Sequence, residues 1–89
     1  MAQKHYDYAH PQNISSGTTL TKSGLVVAST SAASNGYVGI QVNTIGIIGI
    51  PVTGGSYGAI VSVPVHKGDT VTYTAYNVSV NSFVLYPEI

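Results

Sequence analysis

Ionisable side chains are the groups that could catalyse a reaction or hold a metal, and this chain has few of them. Its three carboxylates are Asp7, Asp69 and Glu88, which are widely spaced along the sequence. A hydrolase built on a carboxylate pair needs two such groups in one cleft, and nothing in this spacing brings two together. The serines lie in Ser/Thr-rich segments typical of strands and loops. We therefore predict that the chain is not an enzyme.

The three histidines, His5, His10 and His66, lack the close spacing of a zinc site within one chain. In a threefold oligomer one histidine per chain on the axis could supply three ligands, but surface or interface positions are the favoured interpretation. The glycine-rich segment from Gly54 to Gly58 has the composition of a phosphate loop, yet no helical pattern follows it. We interpret it as a hairpin turn, and we predict neither a metal nor a cofactor.

The tyrosines are the side chains that indicate a function, namely ligand binding. A tyrosine ring can stack on a sugar while its hydroxyl binds sugar or water. Tyr37 and Tyr57 lie beside turn signals, where loops carry binding groups, and Asn35 could bind a hydroxyl-rich ligand. These three residues are the predicted ligand-binding set. Others that border turns are Tyr76, Asn77 and Asn81, whereas Tyr73 and Tyr86 lie within strand patterns that indicate packing.

Hydrophobic alternation indicates how these residues are positioned. Val38, Ile40 and Val42 alternate with smaller or polar residues, and so do Val61, Val63 and Val65. Such segments recur about every 8–12 residues between turn signals such as Asn35-Gly36, which is typical of an antiparallel sandwich or small barrel. Pro64 marks an edge strand. We predict an all-β, jelly-roll-like antiparallel β-sandwich of six or seven short strands over residues 17–89, preceded by an extended arm at residues 1–16.

Charge restricts the possible partners. Lysine, arginine, aspartate and glutamate together make up 7% of the chain, and the net charge is zero, whereas soluble domains carry roughly 25%. Three scattered lysines cannot supply the phosphate contacts that nucleic-acid binding requires, and they do not form a polybasic membrane site. No apolar run approaches the length of a membrane span, and the N-terminus lacks the apolar core of a signal peptide.

Several strands carry apolar residues on both faces, as at Val26-Val27 and Ile47-Ile48. A two-sheet sandwich buries only one face of each sheet. A second apolar face, together with the missing charge, favours association with copies of the same chain. We therefore expect an oligomer.

The segment Pro64-Val65-His66-Lys67-Gly68-Asp69-Thr70, followed by a last strand ending Phe83-Val84-Leu85-Tyr86-Pro87, resembles the C-terminal tip domains of bacteriophage tail fibres. The resemblance covers residues 17–89. It implies a homotrimeric sandwich on a virion fibre that binds a host-surface glycan or protein, located in the virion and extracellular after lysis. It lends no catalytic residues, and the chain shows no fibre-shaft repeat.

Three functions follow as expectations. The first is a trimeric attachment module that binds a receptor, with the glycan as its favoured class. The second is a capsid-decorating or head-fibre protein that recognises no receptor and is anchored to other virion proteins through residues 1–16. The third is a lectin-like carbohydrate-binding module outside any virus.

Overall fold

The computed structural model describes residues 5–31, 35–53 and 58–89. Within these ranges the chain forms strands and no helix. The strands are β1 (Gln12–Asn13), β2 (Thr18–Thr19), β3 (Gly24–Thr30), β4 (Asn35–Val42), β5 (Ile45–Thr53), β6 (Ile60–Val65), β7 (Thr70–Tyr76) and β8 (Val80–Pro87). The prediction of an all-β fold is confirmed. The structure has eight strands rather than the predicted six or seven. The sequence pattern did not reveal β1 and β2, because strands of two residues are too short to show alternation.

The strands form two antiparallel sheets of four. One sheet, which we call sheet I, has the order β1-β8-β3-β6, and the other, sheet II, has the order β2-β7-β4-β5. Only β4 and β5 are joined within a sheet, so every other connection passes from one sheet to the other. This arrangement is consistent with a β-sandwich, in which the inner faces of both sheets form one core.

The core consists of aliphatic side chains that alternate along the strands, as the sequence predicted. Val38 and Ile40 on β4 are almost fully buried, as are Val61 and Val63 on β6. One aromatic pair extends the core, because the rings of Tyr73 and Phe83 meet edge to face at 5.1 Å. The buried cluster comprises Leu20, Val26, Ala28, Val38, Ile40, Val52, Val61, Val63, Val65, Val71, Phe83 and Leu85.

The two long edge strands each carry a proline. β6 is the edge of sheet I and contains Pro64, which confirms the edge position that the proline predicted. β5 is the edge of sheet II and contains Pro51. Proline has no N–H to offer to a further strand, so it interrupts the row of backbone donors on an open edge. Both edges therefore resist extension by another chain.

The β4–β5 hairpin turns at Asn43 and Thr44, both of which have positive φ angles, 53° and 70°. Positive φ at both central residues is the mark of a type I′ hairpin turn. The prediction of a turn at Asn35-Gly36 is wrong. These residues begin β4 and pair with Thr53 and Val52 of β5, because ladder pairing outweighs the local turn preference of the dipeptide.

The N-terminal segment lies along the end of sheet I. Gln12 and Asn13 pair with Leu85 and Val84 of β8. Ile14 packs against the core. Further towards the N-terminus, Tyr6 forms an isolated antiparallel bridge with Glu88, and Tyr8 packs on Tyr86 with ring centres 5.1 Å apart. Docking of residues 1–16 on a neighbour stays a prediction.

Candidate functional site

The charged residues of the described chain collect at one end of the two sheets. Lys22 precedes β3, Lys67 and Asp69 lie between β6 and β7, and Glu88 follows β8. These positions coincide in space, because Gly24 at the start of β3 pairs with both Val65 and Pro87. Asp7 joins them through its backbone N–H, which donates to the Pro87 carbonyl at 2.7 Å. We call this the charged end.

The opposite end carries no ionisable acid, lysine or histidine. The sequence has none from Ser23 to Val65 and none from Thr70 to Pro87. This end is formed where β3, β5 and β7 finish and where β4, β6 and β8 begin. We call it the uncharged end. Among the described residues, acids, lysines and histidines therefore lie at one end of the strands only.

The turn between β6 and β7 organises the charged end through Asp69. Its carboxylate accepts a hydrogen bond from the His66 backbone N–H at 2.9 Å and another from Asn43 Nδ2 at 3.0 Å. These two bonds, the His66 one foremost, hold the pKa of Asp69 below its ordinary value. Gly68 supplies the positive φ of 94° that the turn requires. The Lys67-Gly68-Asp69-Thr70 motif thus has a structural role in this turn.

Near the uncharged end, two tyrosines lie side by side on the outer face of sheet II. Tyr37 and Tyr76 are direct cross-strand partners in the β4–β7 ladder, and their exposed fractions are 43% and 67%. Beside them, Asn77 Nδ2 donates to the Asn35 carbonyl at 2.8 Å. Asn77 has a positive φ of 59°, a conformation that asparagine adopts more readily than most residues. The hydrogen bond joins the end of β7 to the start of β4.

The ring of Tyr37 lies across a pair of glycines. Gly39 and Gly49 are opposite each other in the β4–β5 ladder. A Cβ at Gly49 would overlap the Tyr37 hydroxyl, and one at Gly39 would lie 3.0 Å from the same oxygen. The ring therefore occupies space that two side chains would otherwise fill, and it leans towards β5. The glycines weaken the strands, but they let an aromatic ring lie along the sheet.

The structure brings together two of the three predicted ligand-binding residues. Tyr37 and Asn35 are exposed on β4 and border the uncharged end. Tyr57 lies outside the described residues. Tyr76, which the sequence placed beside a turn, joins Tyr37 through strand pairing. The glycine platform beneath Tyr37 was missed, because only the β4–β5 register places Gly39 opposite Gly49.

The remaining candidates for chemistry are dispersed. His10 Nδ1 lies 2.9 Å from an Asp7 carboxylate oxygen, and both side chains are at the surface. Among the described residues, no group of three or more His, Cys, Asp or Glu side chains could hold a metal ion.

The segment from Gly54 to Gly58 has the G-x-S-x-G spacing of a nucleophile elbow, a motif that joins a strand to a helix. Here strand β6 follows it.

Comparison with protein-family models, with curated proteins and with solved structures found no match. In the ranges that the structure describes, no helix is long and apolar enough to cross a membrane. The function of this chain is therefore inferred from its geometry.

The lowered pKa of Asp69 predicts an acid-dependent loss of stability. A carboxyl whose pKa is depressed by folding stabilises the protein above its unfolded pKa, about 3.9, and this contribution is lost as the pH falls through the folded value. We expect Asp69→Asn to lower the melting temperature at pH 7, with the difference from wild type shrinking below about pH 4. Thermal melts monitored by circular dichroism at pH 7 and pH 3 measure both differences. Equal differences at the two pH values would contradict the proposed role of the carboxylate.

Proposed function

We propose that this protein is the receptor-binding tip of a bacteriophage fibre, which assembles as a homotrimer and binds a host-surface glycan. The observation that carries the proposal is the separation of charge from exposed tyrosine. One end holds the described acids, lysines and histidines, whereas Tyr37 and Tyr76 border the opposite end on an uncharged surface. Tyrosine, asparagine and hydroxyl groups without net charge suit a neutral, hydroxyl-rich ligand.

The position of the N-terminal segment supports this orientation. The described chain begins at the charged end, where the His5 carbonyl accepts a hydrogen bond from the Ile89 N–H at 2.9 Å. A fibre connected through this end would hold the uncharged end outward. The tyrosines would then lie near the part of the particle that first meets a cell.

The strand order supports a virion or lectin class by analogy of fold. Two four-stranded antiparallel sheets in the orders β1-β8-β3-β6 and β2-β7-β4-β5 correspond to an eight-stranded jelly roll. This fold is common in viral capsid proteins and in lectins. One fold serves many functions. The analogy therefore favours a virion protein or a lectin, and it does not distinguish between these two classes.

Trimer formation is assigned to the outer face of sheet I. The residues there that point away from the core include Leu25 and Val27 on β3 and Val84 on β8, and Ser29, Ser82 and Tyr86 complete the two rows. No lysine, acid or histidine occurs in β3, β6 or β8. Val84 is 8% exposed, although it lies outside the core cluster. Val27 pairs with Val84 across the β3–β8 ladder. Aliphatic residues on the second face of a sheet favour burial against another subunit.

A capsid-decorating or head-fibre role is the second candidate, and the N-terminal segment favours it. Tyr8 is 62% exposed, and it lines a shallow depression together with His5, Tyr6 and Ile89. Exposed aromatic residues on a terminal segment are suited to docking on a larger assembly. In this role the uncharged end would recognise no receptor. A lectin-like module outside any virus stays the third candidate.

The attachment proposal predicts that Tyr76 contributes to glycan binding. Tyr76→Ala should weaken binding to a glycan array by about 2 kcal/mol, roughly 30-fold, because a stacked ring is lost. The matched control is Tyr8→Ala, which removes a similarly exposed tyrosine at the charged end and should leave binding unchanged. Equal affinities for wild type and Tyr76→Ala would contradict the proposal.

Deletion of residues 1–9 separates attachment from decoration. This segment precedes β1, so the deletion leaves the β1–β8 pairing and Ile14 in place. A decoration protein should lose its association with particles, whereas an attachment tip should bind glycans with unchanged affinity. Co-sedimentation with particles and the glycan array give the two readouts. Loss of glycan binding on this deletion would contradict the location that we propose for the ligand.

A further inference from the structure

We propose that the ligand is a neutral, linear oligosaccharide that lies along the outer face of sheet II and spans more than one sugar ring. This inference rests on the proposed function and deepens it, because it names the class of glycan and the surface that holds it. The alternative within the same function is a single terminal sugar bound by the loops of the uncharged end.

The outward residues of sheet II form an ordered array of polar groups beside the tyrosines. Thr72 and Thr74 alternate on β7 with the inward Val71 and Tyr73, and they continue the row that ends in Tyr76. Ladder pairing sets Thr74 opposite Gly39 and Thr72 opposite Gln41. Outward residues on one strand are spaced about 6.7 Å apart, and neighbouring strands about 4.8 Å. From Thr72 to Tyr76 the row extends about 13 Å, which exceeds the width of one sugar ring.

The ring of Tyr37 provides the apolar part of this surface. One side of the ring rests on the Gly39–Gly49 pair, and 43% of the residue stays exposed. A ring held along a sheet presents a flat face, which is the geometry on which a sugar stacks. The hydroxyls of Thr72 and Thr74 and the amide of Gln41 lie beside it and are at least partly exposed. The tyrosine rings therefore lie at one end of the row, and hydrogen-bonding groups continue from them along the strand direction.

The charge of the surface selects the class of occupant. No lysine, acid or histidine occurs in β4, β5 or β7. A sulfated or sialylated glycan would find no cationic partner on this face, and burying its charge unpaired would be costly. A protein partner is normally held by a buried apolar centre. Here Tyr76, Tyr37 and Pro51 form one cross-strand row, and the rest of the face carries threonine, glutamine and glycine, with Ile47 exposed on β5. An uncharged chain of sugar units suits both the lack of charge on this face and the length of its row of outward residues.

The test is a comparison of oligosaccharide lengths. The probes are malto-, cello- and chito-oligosaccharides of one to six units, with sialyllactose as a charged probe, titrated into isotope-labelled protein and followed by NMR. For at least one neutral series we expect affinity to rise with length beyond one unit. We also expect amide shifts in β4, β5 and β7 rather than in the 77–79 loop.

Two glycine variants on the same strand provide a matched pair. Gly49→Ala introduces a Cβ that overlaps the Tyr37 hydroxyl, so the ring must leave its platform, and affinity should fall. Gly46→Ala introduces a Cβ with no atom within 4 Å, so it leaves the Tyr37 ring in place and should lower affinity much less than Gly49→Ala. Circular dichroism of both variants checks that the fold is retained.

Four results would overturn the inference. Equal affinity for one and six units, or shifts confined to the 77–79 loop, would contradict the extended site while leaving a glycan-binding tip in place. Binding of sialyllactose alone would contradict the neutral class in the same way. Binding of none of these probes and of no glycan on an array would overturn both this inference and the proposed glycan receptor.

Discussion

The register of β4 between β7 and β5 is the constraint on which the rest of this structure depends. In this register Val38 and Ile40 enter the core, while Tyr37, Gly39 and Gln41 face outward. A slip of one residue would exchange the two sets, because alternate side chains point to opposite faces of a strand. The slip would place a tyrosine and a glutamine in an aliphatic core. The packing of the sandwich and the tyrosine surface therefore have a common origin.

The distribution of charge gives the two ends and the two outer faces different properties. At the charged end, the Asp69 carboxylate joins the β6–β7 turn to Asn43 beside the β4–β5 turn, so a titratable group serves the fold. Along the strands the outer face of sheet I carries Leu25, Val27 and Ile60 among serines, whereas that of sheet II presents threonine, glutamine, glycine and tyrosine, with Ile47 exposed on β5. A surface with little charge is prone to association, and prolines in both edge strands direct that association to the faces. In our proposal sheet I meets other subunits and sheet II meets the ligand.

Much of the fold could be predicted, because the alternation of apolar residues and the effect of proline both act locally. The alternating apolar residues that end at Val42 and at Val65 predicted two strands, and Pro64 predicted an edge strand. The Asn35-Gly36 prediction failed, since pairing with β5 overrode the preference of a dipeptide. The site was predicted only in part. Tyr37 and Asn35 were found from their position near turn signals, but the partnership of Tyr37 with Tyr76 joins residues from strands β4 and β7. The glycine platform depends on the irregular β4–β5 register, which shifts between Ile40 and Gln41.

We infer that the two outer faces have different roles, and the reactivity of single cysteines in the native assembly distinguishes them. The chain has no cysteine, so single variants Val27→Cys on sheet I and Thr72→Cys on sheet II each report one site. Both positions are half-buried within one chain, and both should react with a maleimide at similar rates in urea. We expect light scattering to give the mass of a trimer, in which Val27→Cys reacts many times more slowly than Thr72→Cys. A monomeric mass with equal labelling rates at the two positions would contradict this division of roles.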